Sequence, residues 1–494
     1  MEIKRIFEVK GPDGFVPSGW NWNYIYDIWD NNFIVSHDLI ETFNSKYVQI
    51  PVYDCNLNLP FTLTDYHISD VSFDHDTKNI TDGSGEFSNY FMTMHPYGSI
   101  DTCTGRNTNY HENTHAFDSI SKKALHYLIN SNNFYLIVDY SSEGDIRDWL
   151  FDDLHTKCKE INLPAKKVIV ISSAMNTRSI YEVYLKENPQ TEQLYTAYYC
   201  WSLIAKKRET DHILNIENIF EFNGNSNVCS IMSPDELDNA NNRAKKCLIY
   251  NRRTAPHRVI MLSLLANEKL LDSIDYSIDL EFTDQKDMGL DLSVGSDYND
   301  VPYIENRNYR SKMIQGFFKL KKINKKTIDY EGIREVWGFG FELKEPYLNT
   351  YFSLITETLF YEHGNYISEK SFKGIAHLHP FVILGKPGIL KQLKKWGFKT
   401  FSEFWDESYD DIENNSERIL KVFEVTKSLV NKTNEEWDLM YKKLIPILKY
   451  NRKKLLDIGE SDIIDTYIHN LNKLLKNEPN QKNYSLHEST ARLF

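Results

Sequence analysis

The chain has 494 residues, a formal net charge of −13, and hydrophobic and aromatic shares of 41% and 14%. That length and apolar content support two or three domains with cores of their own and exclude an intrinsically disordered chain. The acidic balance argues against a body devoted to nonspecific nucleic-acid binding.

Six cysteines (Cys55, Cys103, Cys158, Cys200, Cys229, Cys247) are scattered without a CxxC pair, which reads as reduced thiols, not a disulfide framework. The opening "MEIKRIFEVKGPDGF" lacks the apolar centre of a signal segment, and no run reaches the length of a membrane span. The expectation is a cytoplasmic protein with no membrane-spanning segment.

In chain order, residues 1–120 are rich in Asn, Asp, Tyr and Gly with short apolar runs such as "KYVQIPVYD", and read as an irregular, β-containing N-terminal region. "FYLIVDYSSEGD" (134–145) predicts a strand ending in an acidic turn. "IRDWLFDDLHTKCKEI" has helical spacing, and "KKVIVISSAMN" predicts a second β-branched strand. Strand, helix, strand at this spacing is a βαβ unit with a parallel sheet. After an Asn- and Ser-containing stretch (222–242) the pattern restarts. "KKCLIYNRR" predicts a strand, "PHRVIMLSLLANEKLL" a helix with Pro in its first turn, "YFSLITET" a strand, and a further helix starts near Ser368. "PFVILG" predicts another strand, "PGILKQLKKWG" a helix and "GFKTF" one more short strand, while residues from about 407 have helical spacing throughout. "HLHP" (377–380) reads as packing, and "FSEFWDESYDDI" as an aromatic edge to the second domain.

The fold class expected is α/β: two Rossmann-like domains facing a cleft, with a helical C-terminal tail. The domains are drawn at 1–120, 121–240, 241–406 and 407–494.

Two stretches carry chemistry. In "YNRRTAPHR" a strand ends at Asn251, and Arg252, Arg253 and Arg258 follow up to the first helical turn. Guanidinium forks match phosphate oxygens, and a helix N-terminus adds partial positive charge, so a diphosphate fits there. In "LITETLFYEHGNYISEKSFKGIAHLHPFVILGKPG" (354–388), Glu357 ends a strand, and Tyr366, Glu369 and Lys370 lie at the start of the next helix. Ser368 followed by Glu is also ordinary helix-capping chemistry. Unlike charges one residue apart are not expected to face each other on a helix. They do suit a nucleotide sugar, the Lys a phosphate and the Glu a sugar hydroxyl.

The two stretches together resemble the donor-binding half of the alpha-1,3-fucosyltransferase family. That family shows a strand, an "N…AP.R" loop and a helix, then a strand ending "FEN" and "DYVTEK" before "PVVLG". Here Arg258 falls on the family's diphosphate arginine, Glu357 on the strand-end Glu, Tyr366 on the Tyr and Glu369-Lys370 on the "EK" pair. The resemblance covers residues 245–390, about a third of the chain. Ser368 stands for Thr, Thr358 for Asn, and the loop before the "EK" pair is longer. It implies a GT-B glycosyltransferase acting on a nucleotide-sugar donor, GDP- or UDP-linked, inverting and without a metal or other cofactor. Glu369 would hold the ribose and Arg258 with Lys370 the phosphates. The acceptor, whether a glycan, a lipid-linked sugar, a protein or a modified nucleic acid, is not written in the chain.

Glycosyl transfer needs fixed positive groups for the leaving diphosphate and a base for the acceptor hydroxyl. The base candidates are Glu143 and Asp139, in "VDYSSEGD". A rival reading is a zinc-dependent hydrolase, since His111, Glu112 and His115 satisfy H-E-x-x-H. The loop-like "TGRNTNY" before it, and Asn113 and Thr114 inside it, argue against the helix that motif needs. A non-catalytic scaffold that keeps the fold is a third reading.

Overall fold

A computed structural model describes residues 3–7, 63–67, 72–81, 83, 89–94, 117, 120, 122–140, 146–200, 202–203, 206–207, 210, 214, 221–222, 225–226, 231–239, 243–251, 255–280, 304–328, 344–361, 363–458 and 475. It forms two compact units. One holds Met1–Trp201, His363–Tyr366 and Gly459–Leu493, and the other Ser202–Glu362, Ile367–Ile458 and Phe494.

The first unit is built on a parallel sheet of six strands. In chain order these are β1 (Ile3–Phe7), β2 (Leu63–His67), β5 (Tyr90–Met94), β6 (Phe134–Tyr140), β7 (Val168–Ser172) and β8 (Tyr195–Tyr198), arranged β2-β1-β5-β6-β7-β8. A hairpin of β3 (Ser72–Asp74) and β4 (Asn79–Thr81) is tied to the core by the Asn133 carboxamide. That group accepts from the Ile80 N–H (2.8 Å) and donates to the Ile80 carbonyl (3.0 Å). Helices α1 (Lys122–Asn130), α2 (Asp148–Glu160) and α3 (Thr177–Glu187) accompany the sheet. The expected βαβ unit is β6-α2-β7: every residue of the run "VIVIS" is buried, as a strand covered on both faces requires. Strands β1, β2 and β5 of the N-terminal region share this sheet with β6–β8.

The second unit begins with the short pair β9 (Glu221–Phe222) and β10 (Asn225–Ser226), then α4 (Pro234–Asn239). Its sheet has four parallel strands, β11 (Lys245–Ile249), β12 (Ile274–Tyr276), β15 (Thr350–Thr356) and β16 (Phe381–Leu384), in the order β12-β11-β15-β16. Helix α5 (Pro256–Asn267) follows β11 and buries every residue from His257 to Ala266, as its all-round apolar composition demands. A minor pair, β13 (Ile278–Asp279) and β14 (Lys325–Lys326), flanks α6 (Arg307–Ile323), and α7 (Glu345–Asn349) leads into β15. Helix α8 (Glu369–Ala376) lies between β15 and β16, and α9 (Ile389–Lys395) follows.

Helices α10 (Asn415–Val430) and α11 (Asn434–Leu456) belong to this same unit. Trp437 of α11 stacks on Tyr351 and Phe352 of β15 at 5.2 and 5.4 Å. "GFKTF" is not a strand. The backbone N–H and carbonyl of Lys399 are each bonded at 2.8 Å by the Asn451 carboxamide of α11, which supplies what a neighbouring strand would. "HLHP" packs as expected: His377 stacks on Tyr347 at 3.9 Å, and His379 is bonded to Ser353 Oγ (2.8 Å) and the Thr350 carbonyl (2.9 Å). Among the described residues, no helix is long and apolar enough to cross a membrane.

Candidate functional site

In the second unit the chain lays down β11, places β12 on one side of it and then β15 on the other. The strand order therefore reverses between β11 and β15. A crevice opens outside the carboxyl ends of parallel strands at such a point, because the following connections diverge to opposite sides. The residues leaving β11 and β15, and those opening α5 and α8, converge there.

At the exit of β11, Asn251 is buried. Its N–H donates to Ser277 Oγ (2.9 Å), and its Oδ1 accepts from Thr356 Oγ1 (2.5 Å), which ties the two strand exits together. Its Nδ2 is buried and has no hydrogen-bond partner among the described residues. Arg258, on the first turn of α5, donates from Nη2 to the Glu357 carbonyl (3.0 Å) and the Thr356 carbonyl (3.4 Å), which places its charge at the exit of β15. His257 beside it donates from Nε2 to the same Glu357 carbonyl (2.9 Å). Its ring stacks on Phe360 at 4.9 Å and 17°. Burial, reinforced by the Arg258 charge, pushes its pKa down to about 3, so the imidazole is neutral.

Glu357 is 0% exposed. Its carboxylate accepts from the Ser368 N–H (3.2 Å to each oxygen), from Ser371 Oγ (2.5 Å) and from the Thr358 N–H (3.1 Å). It therefore ties Thr358 to Ser368 and Ser371 and sets the start of α8. The sequence reading placed Glu357 among the donor-binding residues; in the structure its carboxylate serves the chain itself.

Ser368 is the N-cap of α8 and accepts from the Lys370 N–H (3.3 Å). Contrary to the spacing argument, Glu369 and Lys370 do meet, with Lys370 Nζ 2.6 Å from Glu369 Oε1. Side chains on a helix lean toward its N-terminus, and in the first turn no preceding turn keeps them apart. Lys370 Nζ also donates to Thr358 Oγ1 (3.0 Å). Burial alone would raise the pKa of Glu369, but Lys370 and Lys373 outweigh it and hold the carboxyl below its ordinary value. The two side chains keep 14% and 26% exposure, so the pair is partly accessible at the strand exits.

The structure thus gathers Asn251, Arg258, Glu357, Glu369 and Lys370. Tyr366 belongs to the first unit, where it is buried and bridged to Ala174 beside β7. Its neighbours are held there by the bonds Met175 N–H to Asn365 carbonyl (2.7 Å) and Asn176 Nδ2 to His363 carbonyl (2.9 Å). Asp139 lies on β6 in register with Ile171. Arg252, Arg253, Glu143, His111, Glu112 and His115 lie outside the described residues. Sequence reasoning passed over His257, Thr356, Phe360 and Ser371. His257 looked like part of a basic loop, and Thr356 like one more residue of an apolar strand.

The neutral state of His257 has a consequence for acid stability. The unfolded chain takes up this proton near pH 6.5, whereas the folded chain resists to about 3. Over that window the unfolded state binds more protons, so stability falls as pH falls, by about 1.4 kcal/mol per pH unit. His379, also held well below its ordinary value by burial, adds to the same loss. Urea midpoints taken from pH 7 to 4 are expected to fall less steeply for His257→Gln than for the wild type. Equal slopes would show that His257 is not kept neutral.

Comparison of the chain with protein-family models, with curated proteins and with solved structures found no match.

Proposed function

We propose that the chain is a glycosyltransferase that takes its sugar from a nucleoside-diphosphate donor, as the resemblance to the alpha-1,3-fucosyltransferases implies. One observation carries this reading. Two fixed cations, Arg258 and Lys370, stand at the openings of two helices where the order of a parallel sheet reverses, with the accessible carboxylate of Glu369 beside Lys370. Helix N-termini at such a point favour phosphate, and cations held there offset the charge that develops on a leaving diphosphate. The carboxylate of Glu369 is kept ionised, which suits it to accept from ribose hydroxyls. In this reading the protein is of GT-B type and inverting, it needs no metal to bind the donor, and the acceptor base is Asp139 or Glu143.

The test is a thermal-shift screen of GDP, UDP, ADP, CMP and their sugar conjugates against the wild type and Glu369→Ala. The expected result is selective stabilisation by one diphosphate and its conjugates, about 2.7 kcal/mol at a hundredfold excess over Kd. It should be weakened in the variant. A wild type that none of them shifts would overturn the assignment.

A further inference from the structure

Helix α10 carries a buried arginine that bonds both the turn opening its own helix and the exit of β16. Arg418 is 1% exposed. Its Nε donates to the Gly385 carbonyl at the exit of β16 (2.8 Å). Nη1 donates to the carbonyls of Ile412 (2.6 Å) and Glu413 (3.1 Å), and Nη2 to Asn415 Oδ1. The guanidinium lies 4.7 Å over the ring of Phe360, in the loop that leaves β15. His257 is stacked on the same ring, and it in turn donates to the Glu357 carbonyl that Arg258 also bonds. One side chain therefore fastens the exit of β16, pins the loop after β15 and, through Phe360 and His257, reaches the backbone on which Arg258 is set.

We infer that Arg418 is a positioning residue for the donor site: it holds Phe360 and the exit of β16 so that Arg258 and the start of α8 present their charges at a fixed separation. This rests on the proposed donor-binding function. The chemistry is specific to a guanidinium. Its planar fork satisfies several carbonyls in different directions and still offers a flat face to an aromatic ring, which an ammonium does not. The end of β16 also adjoins Glu357 directly, since the Glu357 N–H donates to the Leu384 carbonyl (2.9 Å).

The experiment compares wild type, Arg418→Met, Arg418→Lys and Phe423→Leu as full chains. Phe423 sits on the same helix, but its ring faces Tyr309 of α6 at 6.1 Å, so its substitution loosens the core without touching the loop. Two quantities are read: the affinity for GDP and UDP by titration, and amide hydrogen exchange over 357–361. In both Arg418 variants affinity is expected to fall about tenfold or more, the equivalent of one charged hydrogen bond to the phosphates. Exchange over 357–361 should quicken by a similar factor. Phe423→Leu should lower the melting temperature with affinity and local exchange unchanged. Unchanged affinity and exchange in Arg418→Met would overturn the inference, as would losses in Phe423→Leu equal to those in Arg418→Met. If wild type binds neither nucleotide, the donor-site reading fails, and the exchange data alone still decide whether Arg418 holds the loop.

Discussion

Gly316→Ala is expected to lower the melting temperature by about 6–12 °C. Gly316 lies where α6 crosses α5. A Cβ there would stand 1.7 Å from the Ser263 carbonyl oxygen, 2.6 Å from its carbon and 3.1 Å from the Asn267 nitrogen. These are backbone atoms of a helix buried along its length, so no side chain can turn aside and one helix must move. Overpacking of a core costs about 1–3 kcal/mol where side chains absorb it, and a clash with backbone belongs at or beyond the upper end. At about 3 kcal/mol the stated shift follows for a unit of this size. Thermal unfolding of the variant beside Gly388→Ala gives a scale. Gly388 has φ +83° with open space around it, so that change adds backbone strain of only about 1–2 kcal/mol. A Gly316→Ala protein that melts within 2 °C of wild type would mean that the two helices are not packed backbone to backbone.

The second expectation concerns the proposed ligand. Arg258→Ala should weaken the binding of the preferred nucleoside diphosphate about 10- to 100-fold, the worth of one or two charged hydrogen bonds. The fold should tolerate the change, because the Glu357 carbonyl keeps its bond from His257 when the Arg258 donor is gone. Arg258→Lys should restore the charge but little of the affinity, since an ammonium cannot reproduce the fork. Calorimetric titration of GDP and UDP against the three proteins checks this. Undiminished affinity in Arg258→Ala would remove the arginine from the site.

Much of the second unit could be read along the chain. The strand before Asn251, the helix after Pro256, the strand of Glu357, the cap at Ser368 and the run "FVIL" all follow from apolar spacing and cap chemistry within a few residues. The candidate site was less legible. Glu369 and Lys370 were found as a pair, but their direct bond was not expected, because pair rules for helix interiors do not hold in the first turn. Glu357 was found and given a ligand, although Ser368 and Ser371 claim its carboxylate. "GFKTF" has the composition of a strand and was read as one, but its pairing groups are met by one side chain, Asn451.

What the amino-acid order determined by itself is therefore local: which segments are strands, which are helices, where each helix begins, and which polar residues stand at strand exits. Those features depend on periodicity and on hydrogen bonds between near neighbours. The tertiary structure alone decided which of those polar groups are bonded internally and which stay accessible. The deciding partners are distant: Ser371 lies 14 residues from Glu357, Gly385 lies 33 from Arg418, and Asn251 lies 105 from Thr356. A side chain's hydrogen-bonding capacity is written in its identity, but its partner is chosen by the packing of elements that the local pattern does not order in space.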